Sequence, residues 1–224
     1  MKTYPTLLFD LDGTLTDTLR DLGECVNEVL DAHGLPVHPL DAYRLFVGSG
    51  MRELIRRALG DAGTPALLEE LAREFVPLYD RQCLRYVSLY PGIAETVATL
   101  KARGAKLAVV TNKPEPQAQK IVDHLFPAGT FGAVHGNVAG RPTKPDRAVV
   151  ELTLRELEAD PAHTLFVGDS DVDVFTAKNA ELPCIGCCWG FRGERELAEA
   201  GADYLAHTAA DILRVADGYR PTGG

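Results

Sequence analysis

The sequence predicts an α/β protein in which helices cover both faces of a parallel sheet and a helical segment is inserted after the first strand. Two observations carry this prediction. Short apolar runs of strand length alternate with amphipathic helical patterns over most of the chain, and one long stretch near the N-terminus contains helical patterns only. Strands that are apolar throughout and alternate with helices indicate a parallel sheet covered on both faces. We therefore predict a Rossmann-like, doubly wound core with an inserted α-helical cap domain.

Short apolar runs mark the candidate strands, and most of them end at a polar residue or a glycine. They are residues 6–10, 106–111, 131–135, 164–169 and 184–188. Amphipathic patterns with helical spacing lie between them, at residues 92–104, 115–126, 146–157 and 173–180. This alternation predicts that the strands are joined by helical crossovers.

The stretch from residue 17 to residue 89 breaks the alternation. It contains no convincing strand, only the helical patterns "LRDLGECVNEVLDAHG", "MRELIRRALGDAG" and "PALLEELAREFVPLYDRQCLRYV". A block of this size can form a small helical bundle of its own. We predict a core formed by residues 1–16 and 90–224, and a cap formed by residues 17–89 with hinges near 16–19 and 88–92.

Charge and hydropathy argue against several classes of function. The chain has 224 residues, with 23 lysines and arginines against 32 aspartates and glutamates, a formal net charge of −9. This balance argues against general nucleic-acid binding, although a local basic pocket can still hold an anion. No stretch approaches the ~20 apolar residues of a membrane span, and Asp10 and Asp12 interrupt the first apolar run. We expect a cytoplasmic monomer or homodimer with no nucleic-acid or membrane partner.

Polar side chains follow the candidate strands at their carboxyl ends, where an open parallel sheet binds its ligands. These side chains come from the ends of four different strands or the segments after them. They are Asp10, Asp12, Thr111, Asn112, Lys144, Asp169 and Asp173. Because parallel strands end at one edge of the sheet, we expect these groups to converge there.

This set of groups suits phosphoryl transfer to a carboxylate. A phosphorylated substrate is anionic, so an anionic nucleophile needs a cation, and Mg²⁺ prefers carboxylate, phosphate and water oxygens. Asp10 is the candidate nucleophile and would form an aspartyl-phosphate. Asp12 is the candidate general acid and base, which would protonate the leaving alkoxide and then deprotonate the attacking water.

The other strand-end groups have supporting roles in this chemistry. Thr111 and Asn112 would hydrogen-bond the transferring oxygens, and Lys144 would neutralise the remaining charge. Gly13 permits a tight turn whose N–H groups face the phosphoryl group, with Thr14 beside it. The predicted metal ligands are Asp10, Asp12, Asp169 and Asp173. For Asp173, an acid at a helix start that matches the helix dipole is the alternative.

The motifs "DLDGTLTDT", "TN", the Lys-Pro after the third strand and "GDSDVD" resemble the four motifs of the haloacid dehalogenase superfamily, in order. A helical insertion after the first motif resembles the first type of cap domain in that superfamily. The resemblance covers essentially the whole chain and implies a HAD-like core, a Mg²⁺ cofactor and the roles assigned above. It also implies that the main-chain carbonyl of Asp12, not its carboxylate, binds the metal.

Residues that separate the branches of the superfamily favour a phosphatase. The haloacid dehalogenases lack the second aspartate of the first motif, whereas this chain keeps Asp12. Phosphonatases need a cap lysine, and the chain has no lysine between Lys2 and Lys101. Mutases of the β-phosphoglucomutase type carry a cap histidine where this chain has Leu22. Receiver domains of signalling proteins gather similar groups, but they lack a helical insertion.

The segments "FVGSGMRELIRRAL", "YPG", "VVTNKP" and "RPTKPD" resemble the bacterial phosphoglycolate phosphatase branch. This resemblance implies Mg²⁺-dependent hydrolysis of a small phosphorylated metabolite, 2-phosphoglycolate, to glycolate and phosphate. Hydrolysis of pyrophosphate or of a sugar phosphate remains an alternative, as do a mutase and a non-catalytic phosphate-binding protein.

A glycine-flanked serine precedes the second helical pattern of the cap. A helix N-terminus with free N–H groups binds anions. We predict that Ser49 and Arg52 bind the non-reacting end of the substrate. A plain helix start with solvated arginines is the alternative.

Overall fold

A six-stranded sheet organises the computed structural model, which describes residues 3–218. Its strands are β1 (Thr6–Phe9), β4 (Lys106–Pro114), β5 (Ala133–Asn137), β6 (Thr164–Gly168), β7 (Cys184–Cys187) and β8 (Tyr204–Ala206). Each neighbouring pair of these strands is parallel, and the strand order is β5-β4-β1-β6-β7-β8. A separate antiparallel ribbon pairs β2 (Thr16–Asp17) with β3 (Ser88–Leu89).

Helices cover both faces of the sheet. Four of them lie between β2 and β3: α1 (Leu19–Ala32), α2 (Tyr43–Phe46), α3 (Met51–Leu59) and α4 (Pro65–Gln82). The others are α5 (Ile93–Ala102), α6 (Glu115–Leu125), α7 (Ala148–Glu156), α8 (Asp171–Asn179), α9 (Glu194–Ala200) and α10 (Ala209–Ala216).

The central strand shows why the sheet needs helices on both faces. All four residues of β1 are buried. Leu7 and Phe9 belong to the hydrophobic cluster on one face, whereas Leu8 belongs to the cluster on the other. Successive side chains of a strand point to opposite faces, so an apolar run of this kind fits only a two-sided core. The helices α1 to α4 contribute to the same cluster as Leu7 and Phe9.

The strand order places a topological switch at β1. From β1 the chain continues to β4 and β5 on one side, and later to β6, β7 and β8 on the other. At such a switch the crossover connections diverge and leave a crevice beyond the carboxyl ends of the adjacent strands. The ends of β1, β4 and β6 therefore border the same crevice.

The predicted fold class is confirmed, and each of the predicted strands is present. The sequence prediction missed β8, α9 and α10, and in the stretch from residue 17 to residue 89, predicted to hold no strand, it missed the short helix α2 and the two-residue pairing of β2 with β3. Strand β8 has three residues at the edge of the sheet, and two of them are only half-buried, so it gives a weak hydrophobic signal. Within residues 3–218, no helix combines the length and apolar character needed to cross a bilayer.

The two strands of the small ribbon carry the chain out to α1–α4 and back again. The ribbon coincides with the segments that were predicted as hinges. An independently moving cap of residues 17–89 stays a prediction. Residues 1–2 and 219–224 of the predicted core lie outside the described residues.

Candidate active site

Asp10 lies directly after the central strand, at the crevice between β4 and β6. Its N–H donates to the carbonyl of Val167 in the neighbouring strand at 2.8 Å, which fixes the backbone at this point. The side chain is buried. Burial raises the pKa of Asp10 to about 6, and the nearby ammonium of Lys144 opposes this rise. A carboxylate that costs this much to ionise is a candidate functional group.

Three buried carboxylates meet at this point. Asp10, Asp169 and Asp173 each offer an oxygen, and these oxygens lie within 4.8 Å of one another. The pKa of Asp169 is well above its usual range, because the group is buried and because Asp173 and Asp10 lie close to it. Like charges at this spacing need a cation among them.

Lys144 supplies part of that positive charge. Its ammonium donates to Asp173 Oδ1 at 2.6 Å and lies 2.9 Å from Asp10 Oδ1. Burial disfavours the charged form of Lys144, but the two carboxylates outweigh this effect and raise its pKa above the ordinary value. One ammonium against three carboxylates leaves the cluster electrostatically suited to a divalent cation.

Asp173 belongs to the carboxylate cluster and also stabilises the start of a helix. Its Oδ2 atom accepts hydrogen bonds from the N–H groups of Asp169 and Ser170 and from the Ser170 hydroxyl, at 2.8–3.2 Å. The bond from the Ser170 N–H is one half of a capping box at the start of α8, in which the Ser170 side chain in turn accepts from the N–H of Asp173. The Oδ1 atom faces Lys144 instead. The helix-start interpretation of Asp173 is thus seen in the contacts of Oδ2, whereas its role as a metal ligand stays a prediction.

A tight backbone cradle surrounds Asp169. Its carboxylate accepts hydrogen bonds from Thr14 Oγ1 at 3.1 Å and from the N–H of Phe191 at 2.8 Å. Gly13 has φ +87°, and a Cβ there would lie 2.3 Å from Asp169 Oδ2. A Cβ at Gly190 would lie 2.2 Å from Asp169 Cβ. Only glycines fit at these two positions, so the backbone approaches the carboxylate closely from both sides.

The donor set of this cluster fits Mg²⁺. Its groups are oxygens only, they are fixed by hydrogen bonds, and they carry an excess of negative charge. Asp10, Asp169 and Asp173 would hold the ion. The carboxylate of Asp12 lies outside the cluster, so the resemblance-based assignment to its main-chain carbonyl stays a prediction.

The carboxylate of Asp12 is held at the side of the crevice that faces α4. Thr18 Oγ1 donates to it at 2.6 Å, and Lys113 Nζ lies 2.9 and 3.1 Å from its two oxygens. On its other side, this ammonium lies 4.7 Å from the ring centroid of Tyr79. Asp12 is therefore fixed by the end of β4 and by the residue that precedes α1.

Asn112 joins three parts of the site. Its Nδ2 donates to the carbonyl of Lys144 and to the carbonyl of Gly48, both at 3.1 Å. Its Oδ1 accepts from the N–H of Lys144 at 2.8 Å. Thr111 is buried beside it and accepts from the N–H of Lys113 at 3.2 Å. Asn112 thus positions Lys144 and also ties the loop before α3 to the core.

A narrow cleft lies between this sheet edge and the inserted helices. Asp10, Asp12 and the end of β4 form its floor, and its opposite wall is mainly apolar. The cavity volume is about 30 Å³. The wall residues are Leu22, Val47, Gly48, Gly50, Met51 and Leu54. The chemical groups therefore face a small and largely apolar chamber.

The structure does not bring Ser49 and Arg52 into this cleft. Arg52 is exposed and pairs with Glu69 at 2.7 Å, while the hydroxyl of Ser49 accepts from Arg57 at 3.2 Å. Met51 and Leu54 occupy the face of α3 that lines the cleft. The predicted contact of Ser49 and Arg52 with substrate thus finds no support in their geometry. The other predicted site residues all lie at the sheet edge.

The sequence analysis did not place the loop after β7 in the site, and it did not identify a partner for Lys113. Trp189 Nε1 donates to the carbonyl of Thr14 at 3.1 Å, and the following residues reach Asp169. Arg192 donates to carbonyls of the segment 44–47 in the inserted helices. The glycine-rich stretch "WGFRG" after the last predicted strand was the available signal.

Comparison with known proteins identifies the family to which the chain belongs. The model for the haloacid dehalogenase-like hydrolase family matches residues 7–187. A phosphoglycolate phosphatase of Caulobacter vibrioides is 34% identical over 210 residues, covering 92% of this chain and 88% of that protein. A phosphoglycolate phosphatase of Aquifex aeolicus is 32% identical over 95% of this chain and 97% of its own length.

Solved structures agree with the sequence relatives. A Lactobacillus delbrueckii subsp. bulgaricus protein, provisionally classed as a phosphoglycolate phosphatase, has a TM-score of 0.93 and 29% identity, covering 98% of this chain and all of its own. The chain belongs to the haloacid dehalogenase-like hydrolase family, as its motifs predicted. The predicted class of enzyme, a phosphatase of this family, is confirmed as well.

Proposed function

We propose that the protein hydrolyses 2-phosphoglycolate to glycolate and phosphate through an aspartyl-phosphate on Asp10, with Mg²⁺ as cofactor. One observation carries the proposal: a buried carboxylate at the switch point, Asp10, lies 2.9 Å from Lys144 and belongs to a carboxylate cluster that needs a further cation. A second carboxylate, Asp12, lines the same cleft without joining the cluster. The candidate nucleophile, Asp10, and the candidate general acid, Asp12, therefore occupy different positions in the site.

In the first step an oxygen of Asp10 attacks the phosphorus of the substrate. The bond between phosphorus and the glycolate oxygen breaks, and the departing electron pair takes a proton from the Asp12 carboxyl. Lys144 remains beside the nucleophile and offsets the charge of the transferring group. The products of this step are glycolate and a phosphorylated Asp10.

In the second step a water molecule releases the phosphoryl group. Asp12, now ionised, removes a proton from water while the water oxygen attacks the phosphorus. The bond between phosphorus and Asp10 breaks, so phosphate leaves and both aspartates return to their initial state. The apolar wall of the cleft limits access of other water molecules.

The remaining groups orient the phosphoryl oxygens and balance their charge. Thr111 and the N–H groups near Gly13 would donate to those oxygens, while Asn112 holds Lys144 in place. When bound at Asp10, Asp169 and Asp173, Mg²⁺ supplies the positive charge that lets an anionic nucleophile approach an anionic phosphate.

The substrate assignment is supported by two independent lines. Curated relatives that span most of the chain carry the name phosphoglycolate phosphatase. The cleft, with a volume of about 30 Å³, suits a leaving group of few atoms better than a sugar.

Phosphate release from a panel of esters tests the proposal. The panel holds 2-phosphoglycolate, pyrophosphate, hexose phosphates and nucleotides, each with and without Mg²⁺, and Asp10→Asn serves as the blank. We expect the highest kcat/KM for 2-phosphoglycolate, strict dependence on Mg²⁺ and no release by the variant. A higher kcat/KM for any other ester would reject the substrate, and equal release by Asp10→Asn would reject the mechanism.

A further inference from the structure

Lys113 is buried at the end of β4, yet its side chain reaches the cleft. Among the described residues, it is the only cationic side chain that lines this chamber. Its side chain is 2% exposed, and its ammonium lies 2.9 Å from Asp12. A lysine is rarely buried to this degree without a specific partner.

The backbone and a cap residue together fix the position of this ammonium. The register between β4 and β5 shifts after Val110, and the N–H of Lys113 donates to Thr111 Oγ1 at 3.2 Å. Tyr79 of α4 presents its ring 4.7 Å from Nζ, and that ring stacks on Phe75. The cation is thus held between Asp12 and an aromatic face, where it is also stabilised by the ring.

This position matches the distal end of a small phosphorylated acid. In the proposed mechanism Asp12 contacts the ester oxygen, and Lys113 Nζ lies within 3.1 Å of both oxygens of that carboxylate. In 2-phosphoglycolate the carboxylate carbon is two bonds from the ester oxygen, which brings it within reach of the same ammonium. We propose that Lys113 binds the carboxylate of the leaving group, a role that rests on the proposed function, and so selects phosphorylated hydroxy acids over neutral esters.

Within the part of the chain that the structure describes, the remaining residues that line the chamber carry no cationic side chain. The cap side of the cleft is apolar, with Leu22, Val47 and Leu54 in its wall. The nearest arginines of α3 are engaged elsewhere, since Arg52 pairs with Glu69 and the neighbouring arginines pair with Glu53. A substrate carboxylate that enters this chamber therefore meets its counter-charge at Lys113.

Lys113 can serve both carboxylates at once. An ammonium group carries three N–H donors, and Asp12 has two oxygens to accept them. One donor is therefore free for the substrate even while the contact with Asp12 persists. A hydrogen bond of this kind to a charged group is worth about 1.5–3 kcal/mol, or roughly 10- to 100-fold in affinity.

The decisive measurement is the ratio of the kcat/KM values for two esters that have the same number of carbon atoms. The kcat/KM for 2-phosphoglycolate is divided by that for ethyl phosphate, which lacks the carboxylate. We expect Lys113→Met to lower this ratio about 10- to 100-fold. Lys106→Met, a change at the opposite, exposed end of the same strand, should leave the ratio unchanged. Effects of Lys113 on Asp12 or on the fold act on both esters and cancel in the ratio.

A binding measurement without turnover completes the test. Titration calorimetry compares phosphonopropanoate, which replaces the ester oxygen of 2-phosphoglycolate by a methylene group, with propylphosphonate in the wild type, Lys113→Met and Lys113→Arg. We expect the wild type and Lys113→Arg to prefer the carboxylate compound and Lys113→Met to lose that preference. If Lys113→Met does not fold, Lys113→Gln takes its place.

The outcomes separate the two proposals. An unchanged ester ratio and an unchanged phosphonate preference in Lys113→Met would overturn the role of Lys113 while leaving the hydrolysis intact. A wild type that hydrolyses neither ester would contradict the proposed function, and the phosphonate titration would still show whether Lys113 binds a carboxylate.

Discussion

Lys144 donates a 2.6 Å hydrogen bond to Asp173, and both side chains are almost completely buried. The same ammonium lies 2.9 Å from Asp10, so the candidate nucleophile is joined electrostatically to the first turn of α8. Stability and chemistry depend on one ion cluster at this edge of the sheet. Substitutions in this cluster should change both stability and activity, and the sign of the charge that is removed determines the direction of each change.

Lys144→Met should be the most damaging change to this cluster. The variant leaves three carboxylates buried without their ammonium. We expect kcat to fall about 10²–10³-fold and the metal-free protein to lose about 3 kcal/mol of unfolding free energy at neutral pH. Urea unfolding with and without Mg²⁺ measures the second effect, with Lys101→Met on the exposed face of α5 as the control. Equal stability of Lys144→Met and the control would contradict the proposed charge balance.

Asp169→Asn should affect stability and metal binding in opposite directions. Burial and neighbouring carboxylates raise the pKa of Asp169, so its charge destabilises the metal-free fold. An amide of the same size removes that charge, and the Thr14 hydroxyl can rotate to accept from it. We expect a melting temperature at or above the wild-type value without Mg²⁺, and no further rise when Mg²⁺ is added. Differential scanning calorimetry measures both; a normal Mg²⁺-induced rise would remove Asp169 from the metal site.

The pH dependence of stability should carry the signature of Asp10. Its pKa is raised from 3.8 to about 6, so between these values the folded state holds a proton that the unfolded state has released. Stability from this group therefore falls as the pH rises from about 4 to about 6. In metal-free protein, the difference in unfolding free energy between Asp10→Asn and wild type should grow across this range. A difference that stays constant with pH would show that Asp10 titrates normally.

Arg192→Met should loosen the contact between the inserted helices and the core. The guanidinium of Arg192 donates to carbonyls at the end of α2, including that of Val47 at 2.8 Å. Losing these bonds favours an open arrangement of the cap. We expect a KM about 10-fold higher and faster proteolysis between residues 19 and 88. Arg195→Met, a change at an exposed residue of α9, is the matched control; identical proteolysis of both variants would reject the role of Arg192.

Arg52→Ala should have little effect on either activity or stability. Arg52 is exposed and its partner Glu69 is exposed as well. Ion pairs of this kind contribute about 0–1 kcal/mol. We expect a KM for 2-phosphoglycolate within about twofold of the wild type, since the substrate carboxylate contacts Lys113 instead. A selective rise in that KM would restore the interpretation that the sequence first suggested.

Much of the candidate site could be predicted because it depends on strand order and not on side-chain direction. Parallel strands end at one edge, so Asp10, Thr111 and Asp169 had to converge once the alternation of strands and helices was recognised. Gly13 was predicted as the site of a tight turn, and the structure adds a second reason for a glycine there, since a Cβ would lie 2.3 Å from Asp169 Oδ2.

The cap side of the site depended on helix orientation, which was not worked out from the sequence. In α3 the apolar positions Met51 and Leu54 recur at helical spacing and face the cleft, so Arg52 lies away from it. The helical spacing of Met51 and Leu54 is visible in the sequence, but the prediction gave more weight to the positive charge of Arg52. The partner of Lys113 was beyond sequence reasoning, since Asp12 is 101 residues away along the chain.

Trapping the intermediate tests the central claim most directly. Enzyme in excess over 2-phosphoglycolate with a radiolabelled phosphoryl group, quenched with acid at successive times in the presence of Mg²⁺, should carry the label transiently on a peptide that contains Asp10. Asp10→Asn should carry none. Phosphate release by the wild type with no labelled peptide at any time, or release by Asp10→Asn at the wild-type rate, would contradict the account.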